Sequence, residues 1–174
     1  MQFKEKTINK NYLYKGKILS LRKDDVLLPN GNTAVREIVE HNGGSAVYCE
    51  HNGKIFLVKQ FRYAYGKEIW EIPAGKVEKD EDPAGTAIRE LYEEGGIIAK
   101  RVEKMFEVYP TPAYTTEVIR IYRALDIEIA KPKLDEDEFL VGEWIDKEKV
   151  LKMINDGEIN DSKTIIALLS SVNK

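Results

Sequence analysis

Residues 75–97 read GKVEKDEDPAGTAIRELYEEGGI, and the fold turns on how this stretch is read. Asp82 is a good helix N-cap. Pro83 suits the first helical turn, where its missing N–H has no partner to lose, and Gly95-Gly96 stop the helix. Between these ends Ala84, Ala87, Ile88 and Leu91 recur at i, i+3, i+4 and i+7, a stripe that faces a core. Glu90, Glu93 and Glu94 fall together on the opposite side, with Glu90 and Glu94 one turn apart. Like charges at that spacing cost a helix about 0.2–0.5 kcal/mol per pair. Oxygen ligands so spaced suit a hard divalent cation such as Mg²⁺. The competing reading is a solvated acidic face partly neutralised by Arg89, and for an arbitrary Glu-rich helix it is the better one.

The rest of the spacing overturns that competitor. The segment satisfies G-x5-E-x7-R-E-U-x-E-E-x-G-U, where U is bulky and aliphatic, at Gly75, Glu81, Arg89, Glu90, Leu91, Glu93, Glu94, Gly96 and Ile97. Chance agreement at that many positions is of order one in a billion per start site. The context agrees: a strand, a Gly-led loop, then a capped helix. The segment resembles the box of the Nudix hydrolase family, whose members cleave nucleoside diphosphates linked to another group. The resemblance implies an α+β fold, an α/β/α sandwich on a mixed β-sheet, whose loop–helix–loop grips Mg²⁺ or Mn²⁺ on a pyrophosphate.

Strand signals surround the box. Residues 17–28 (KILSLRKDDVLL) run into the turn Pro29-Asn30-Gly31-Asn32, and Thr33–Glu40 reads as the return strand. Ser45–Glu50 and Lys54–Phe61 form a second hairpin pattern through Asn52-Gly53. Glu68–Ile72 is a short strand ending at Pro73. Val102–Val108, Glu117–Leu125 and Leu140–Ile145 read as further strands, and Lys147–Asn155 and Ser162–Ser170 as helices. Helical crossovers do not alternate regularly with strands, which favours a mixed sheet covered by helices. Residues 1–40 read as a small N-terminal antiparallel β appendage, and 41–174 as the hydrolase domain.

The likeness extends past the box. Pro112 lies sixteen residues after Gly96, in TPAYTTE (111–117), and a proline at this distance marks the ADP-ribose pyrophosphatase subfamily. VREIVEH (35–41), LVKQFRYA (57–64), EIPAGKVE (71–78), LDEDEFL (134–140) and GEINDSKTIIAL (157–168) are similar to its strands, acidic loop and closing helix. The resemblance implies hydrolysis of ADP-ribose to AMP and ribose 5-phosphate. Its metal ligands map onto the Ala74 carbonyl, Glu90, Glu94 and Glu138. Its general base maps onto Glu136, with Glu93 as second candidate. Its substrate contacts map onto Arg36, Glu37, Arg62, Lys76, Thr111, Pro112, Ala113 and Glu117. Arg89 is read as structural, pairing with box carboxylates. Two positions depart from the pattern. Ala113 stands where the subfamily has Gly, so a Cβ reshapes the terminal ribose end. Lys17-Ile18 stands where an aromatic residue often stacks on adenine, with Tyr12 and Tyr14 nearby as substitutes.

Composition sets outer bounds. A net charge of −3 and a pI near 5.6 argue against a basic nucleic-acid face. An anionic substrate remains compatible, because a bound cation inverts the local field. Cys49 is the sole cysteine, which fits a reducing compartment, and it reads as a small core residue. MQFKEKTINK lacks an apolar signal region and no apolar run reaches spanning length, so a cytoplasmic protein with no membrane partner is expected. Residues 1–40 are too few to bury a core alone, and in relatives this segment exchanges across a two-fold homodimer. Two other readings compete. One is hydrolysis of a GDP- or UDP-hexose at the same metal site. The other is a nucleotide-binding sensor on a disabled fold, which should have lost the carboxylates that Glu90, Glu93 and Glu94 retain.

Overall fold

The computed structural model describes residues 3–134 and 139–172. The chain divides into two compact units: Met1–Gly43 with Tyr109–Val118, and Gly44–Val108 with Ile119–Lys174.

The first unit is an antiparallel sheet of β1 (Lys6–Lys15), β2 (Leu19–Leu27) and β3 (Thr33–His41), in that order. The turn between β2 and β3 closes through Leu28 N–H donating to the Asn32 carbonyl at 2.8 Å, with Gly31 at φ 87°. The sequence pattern contains no signal for β1, for a physical reason. All ten of its residues are exposed, so burial writes no alternation into them. Its order comes from pairing with β2, from Lys6↔Leu27 to Lys15↔Ser20. The segment Tyr109–Val118 docks on β3: Val39 N–H donates to the Tyr114 carbonyl at 2.8 Å, and Thr116 N–H to the Val39 carbonyl at 3.0 Å. Gly43 closes the unit at φ 88°, where a Cβ would lie 2.6 Å from the Val118 carbonyl oxygen. Both the backbone angle and the contact require glycine.

The second unit holds two sheets. One has the order β8-β4-β10-β9, from β4 (Gly44–Tyr48), β8 (Ala74–Lys76), β9 (Ile97–Val108) and β10 (Ile119–Ile129). The other has the order β11-β6-β5 with β7 also on β6, from β5 (Glu50–His51), β6 (Lys54–Arg62), β7 (Lys67–Glu71) and β11 (Leu140–Asp146). The β4–β10 pair is parallel and its neighbours are antiparallel, so the first of these sheets is mixed. The helices are α1 (Pro83–Gly95), α2 (Lys147–Asn155) and α3 (Ser162–Val172).

The expected 45–50/54–61 hairpin is corrected. Only Glu50-His51 pairs with β6, while Gly44–Tyr48 becomes a central strand of the other sheet. A strand buried on both faces is apolar at successive positions, so its pattern does not reveal its partner. Ala46 and Tyr48 enter one core with Ile55, Leu57 and Ile121, together with Val150 and Met153 of α2 and Leu168 of α3. Val47 and Cys49 enter the other with Phe56, Val58, Tyr122, and Ala87 and Leu91 of α1. Helices therefore cover both faces, an α/β/α sandwich. Leu57, Leu91 and Ile121 are wholly buried, each contributing roughly 1.5–3 kcal/mol. Burial pushes the Cys49 thiol up to about 12, as for an inert core cysteine. Among the described residues, no helix is long and apolar enough to cross a membrane.

Candidate active site

The site is built on α1 and on β8 beneath it. The Asp82 carboxylate accepts from Gly85 N–H at 3.4 Å, capping the helix as its sequence predicts. At the other end Gly96 is left-handed, at φ 62°, and its N–H donates to the Tyr92 carbonyl at 2.8 Å. A Cβ on Gly96 would stand 2.5 Å from Pro132 N, because the chain leaving β10 crosses there. That chain is strapped to the helix end: Ala130 N–H donates to the Gly96 carbonyl at 2.6 Å and Lys133 N–H to the Glu93 carbonyl at 3.0 Å. It leads towards Glu136 and Glu138, which lie outside the described residues.

The burial of α1 differs from its helical projection. Glu90 and Glu94 are buried, at 7% and 6% exposure, while Ala84 and Ile88 are only partly covered. The reason is β8, paired with β4 through Ala74↔Ala46. Ala74 N–H donates to Glu94 Oε2 at 3.2 Å. A Cβ on Gly75 would fall 1.7 Å from Glu90 Oε1; the carboxylate fills the space a side chain would need. Two carboxylates thus sit one turn apart in a buried place against the Ala74-Gly75 backbone.

Burying like charges is costly unless cations face them. Arg89 supplies one, with Nη1 2.8 Å from Glu90 Oε1 and 2.7 Å from Glu93 Oε2. Its Nε lies 2.9 Å from Glu81 Oε1, and Glu81 Oε2 accepts Glu78 N–H at 3.1 Å, pinning the loop to the helix. Hydrogen bonds to Glu81, then the charge of Glu90, raise the Arg89 pKa. The Arg89 hydrogen bonds hold the Glu81 carboxyl down to about 2. Among the described residues, no group of three or more His, Cys, Asp or Glu converges as a metal site. The Glu90–Glu94 carboxylate pair nonetheless fits a hard divalent cation better than a soft one, because its donors are oxygen.

Arg62 ends β6 in a buried ion cluster that sequence reasoning missed. Its Nε and Nη2 donate to Glu71 Oε1 and Oε2 at 2.6 and 2.8 Å, a bidentate fork. Lys163 Nζ donates to the same Glu71 Oε2 at 2.5 Å and to Asp161 Oδ2 at 3.0 Å. Burial alone would raise the Glu71 carboxyl, but the Arg62 hydrogen bonds and the Lys163 charge hold it below the usual carboxylate range. The available signal was Asp161 three residues ahead of Thr164, a helix-capping spacing within DSKT. Lys76, on β8, pairs with Glu78 at 3.7 Å.

The remaining candidates lie in the first unit. Arg36, Glu37 and Ala113 line a cleft of about 440 Å³ with Tyr114, Val39, Val35 and Leu21. Arg36 Nε is bonded to Glu5 at 2.9 Å. The Thr111 carbonyl accepts Thr115 N–H at 3.2 Å, closing a turn around the exposed Pro112. Glu117 lies 3.5 Å from His41 Nδ1. Lys17 and Ile18 line a second cleft, of about 350 Å³, with Glu40, His41 and Thr116. Lys15 Nζ sits 4.2 Å over the Tyr12 ring, and the Tyr14 ring lies against Gly16. Both tyrosines are thus engaged within their own hairpin.

Comparison with known proteins points the same way. Residues 33–168 match the NUDIX domain model, and residues 5–39 match the nucleoside diphosphate sugar hydrolase N-terminal domain. The chain is 42% identical over 167 residues to an ADP-ribose pyrophosphatase of Bacillus subtilis, covering 94% of this chain and 90% of that protein. It is 42% identical over 169 residues to a methanol dehydrogenase activator of Bacillus methanolicus, covering 95% and 91%. A crystal structure of an ADP compounds hydrolase superposes with a TM-score of 0.83 at 19% identity, over 95% of this chain and 91% of that one, a likeness of fold.

Proposed function

This chain belongs to the NUDIX family, and on that premise we propose that it hydrolyses the pyrophosphate of ADP-ribose to AMP and ribose 5-phosphate. The observation that carries the proposal is the buried Glu90–Glu94 pair against Ala74-Gly75. Of the two relatives at 42% identity, one is named for a bond it cleaves and the other for an effect on another enzyme. Only the first name states a reaction, so it guides the substrate.

In this reading Glu90, Glu94, Glu138 and the Ala74 carbonyl hold Mg²⁺, with Mn²⁺ as an alternative. When bound, the ion neutralises the pyrophosphate and lowers the pKa of the attacking water. Glu136 takes the proton from that water. Glu93, tied to Arg89, orders the water from its second oxygen. Arg36 and Arg62, with Glu37 and Lys76 as lesser members of the set, contact the phosphates and neighbouring groups, and arginine's planar fork suits phosphate. Thr111, Pro112, Ala113 and Glu117 line the ribose end. The exposed apolar residues of β1 support a homodimer formed through an exchanged N-terminal segment, and the lone buried cysteine supports a cytoplasmic setting.

The test is a substrate panel of ADP-ribose, GDP-mannose and UDP-glucose at fixed Mg²⁺. ADP-ribose is expected to lead in kcat/KM by about tenfold or more. Turnover of ADP-ribose no faster than GDP-mannose would remove the assignment and leave a hexose-nucleotide hydrolase in its place.

A further inference from the structure

The start of α3 meets the end of β7 and the residue that follows it. Asp161 caps the helix: its Oδ2 accepts Thr164 N–H at 3.0 Å and the Thr164 hydroxyl at 2.6 Å. The Thr164 Oγ1 accepts Ile72 N–H at 2.9 Å. Ile72 lies two residues before Ala74. Lys163 bridges Asp161 and Glu71, and Glu71 grips Arg62. Glu71 and Lys163 are buried, at 4% and 8% exposure, and Thr164 is wholly buried. Arg62 and Asp161 are partly open to solvent, and Arg62 is the more open of the two.

The charges decide what this cluster can do. Arg62 and Lys163 are cations and Glu71 and Asp161 anions, so the four balance. If Lys163 were absent, Glu71 would have Arg62 as its sole cation in this set, and the cluster would carry a net negative charge. An arriving phosphate would then meet a guanidinium already spent on a carboxylate. With Lys163 present, Glu71 still orients the Arg62 fork through Nε and Nη2, while the second cation offsets its charge. Arg62 Nη1 is then a donor that the Glu71 fork does not use, in a cluster whose charges balance.

We infer that Lys163, held by the Asp161–Thr164 cap, is a positioning residue that acts through Glu71 to keep Arg62 oriented and electropositive for a substrate phosphate. This rests on the reading of the chain as a pyrophosphate hydrolase. The alternative is a buried ion pair that serves folding alone.

A double-mutant cycle with Arg62→Met and Lys163→Met separates the two. Affinity for inorganic pyrophosphate is measured by calorimetry, alongside KM and kcat. Each single variant should weaken pyrophosphate binding and raise KM about tenfold, the scale of one charge-assisted hydrogen bond, with kcat within about threefold. The double variant should match Arg62→Met within about twofold, and Lys163→Arg should restore most of the affinity. Full multiplication of the two losses, an unchanged Lys163→Met, or a fall in kcat with KM unaltered would each overturn the inference. If Lys163→Met loses its cooperative thermal transition, Lys163→Gln takes its place in the cycle. A wild-type chain that cleaves no nucleoside diphosphate compound would defeat the functional reading instead, and calorimetry would still judge Lys163.

Discussion

At Gly75 a hydrogen stands where a methyl carbon would lie 1.7 Å from Glu90 Oε1. Gly75→Ala must therefore push the Glu90 carboxylate off β8 or pull β8 off the helix. Misplacing a candidate metal ligand should lower kcat/KM by about 100-fold, with the far-UV dichroism of the helices intact. An unaltered rate would show that Glu90 is not a ligand in that pose. Glu81 makes a different prediction. Its folded carboxyl sits at about 2 against an ordinary 4.5, chiefly through Arg89. The stability it contributes is complete above 4.5 and is lost as pH falls towards 2. Glu81→Gln should therefore flatten the acid limb of a melting-temperature profile within that window and leave its shape at neutral pH alone. At this scale the sequence spacing identified Arg89 and its carboxylate partners. It did not show that Glu90 and Glu94 are buried, because a helical projection ranks faces by their own side chains. What buries these two is β8, a strand too short to carry a period.

Helix α1 was legible end to end, since its N-cap, proline and terminal glycines are local signals. The strands divided by environment. Those with one covered face, such as β2 with Arg22, Asp24 and Val26 buried in alternation, carry a period of two that survives in sequence. β1 has no covered face and β4 no exposed one, so the pattern missed the first and mispaired the second. One residue of α1 is not optimised for the helix. Gly85 sits in its first turn with φ in the ordinary negative range, and a Cβ there would meet nothing within 4 Å. Its N–H, which bonds Asp82, is kept by alanine. Gly85→Ala should stabilise the protein by about 0.4–1 kcal/mol through the unfolded chain, read as a higher denaturant midpoint at unchanged m-value. A lower midpoint would mean that this turn needs glycine for a reason outside its described surroundings. The contrast is Gly142 on β11, where a Cβ would lie 2.4 Å from the Phe56 ring and the same substitution has no room.

For the whole molecule the decisive surface is β1. Ile8, Leu13 and Tyr14 are 57%, 56% and 59% exposed on a strand whose ten residues are all exposed. A monomer rarely leaves so many large apolar groups on one ten-residue strand, and the proposed exchange with a second copy would remove them from water. The second unit has two cores of its own, so it should keep its helices when the first unit loses its partner. Leu13→Asp, placed in the middle of β1, tests this by burying a charge only if a partner is there. The wild-type chain should have a dimer's mass in solution and a melting temperature that rises with protein concentration. The variant should shift towards monomer, lose that concentration dependence, and retain its helical dichroism. Its kcat/KM should also fall, because the exchanged segment is proposed to complete the partner's pocket. A monomeric wild type with full activity would end the exchange proposal and leave the catalytic reading of the second unit standing, since the Glu90–Glu94 pair and the Ala74-Gly75 backbone it lies against belong to that unit.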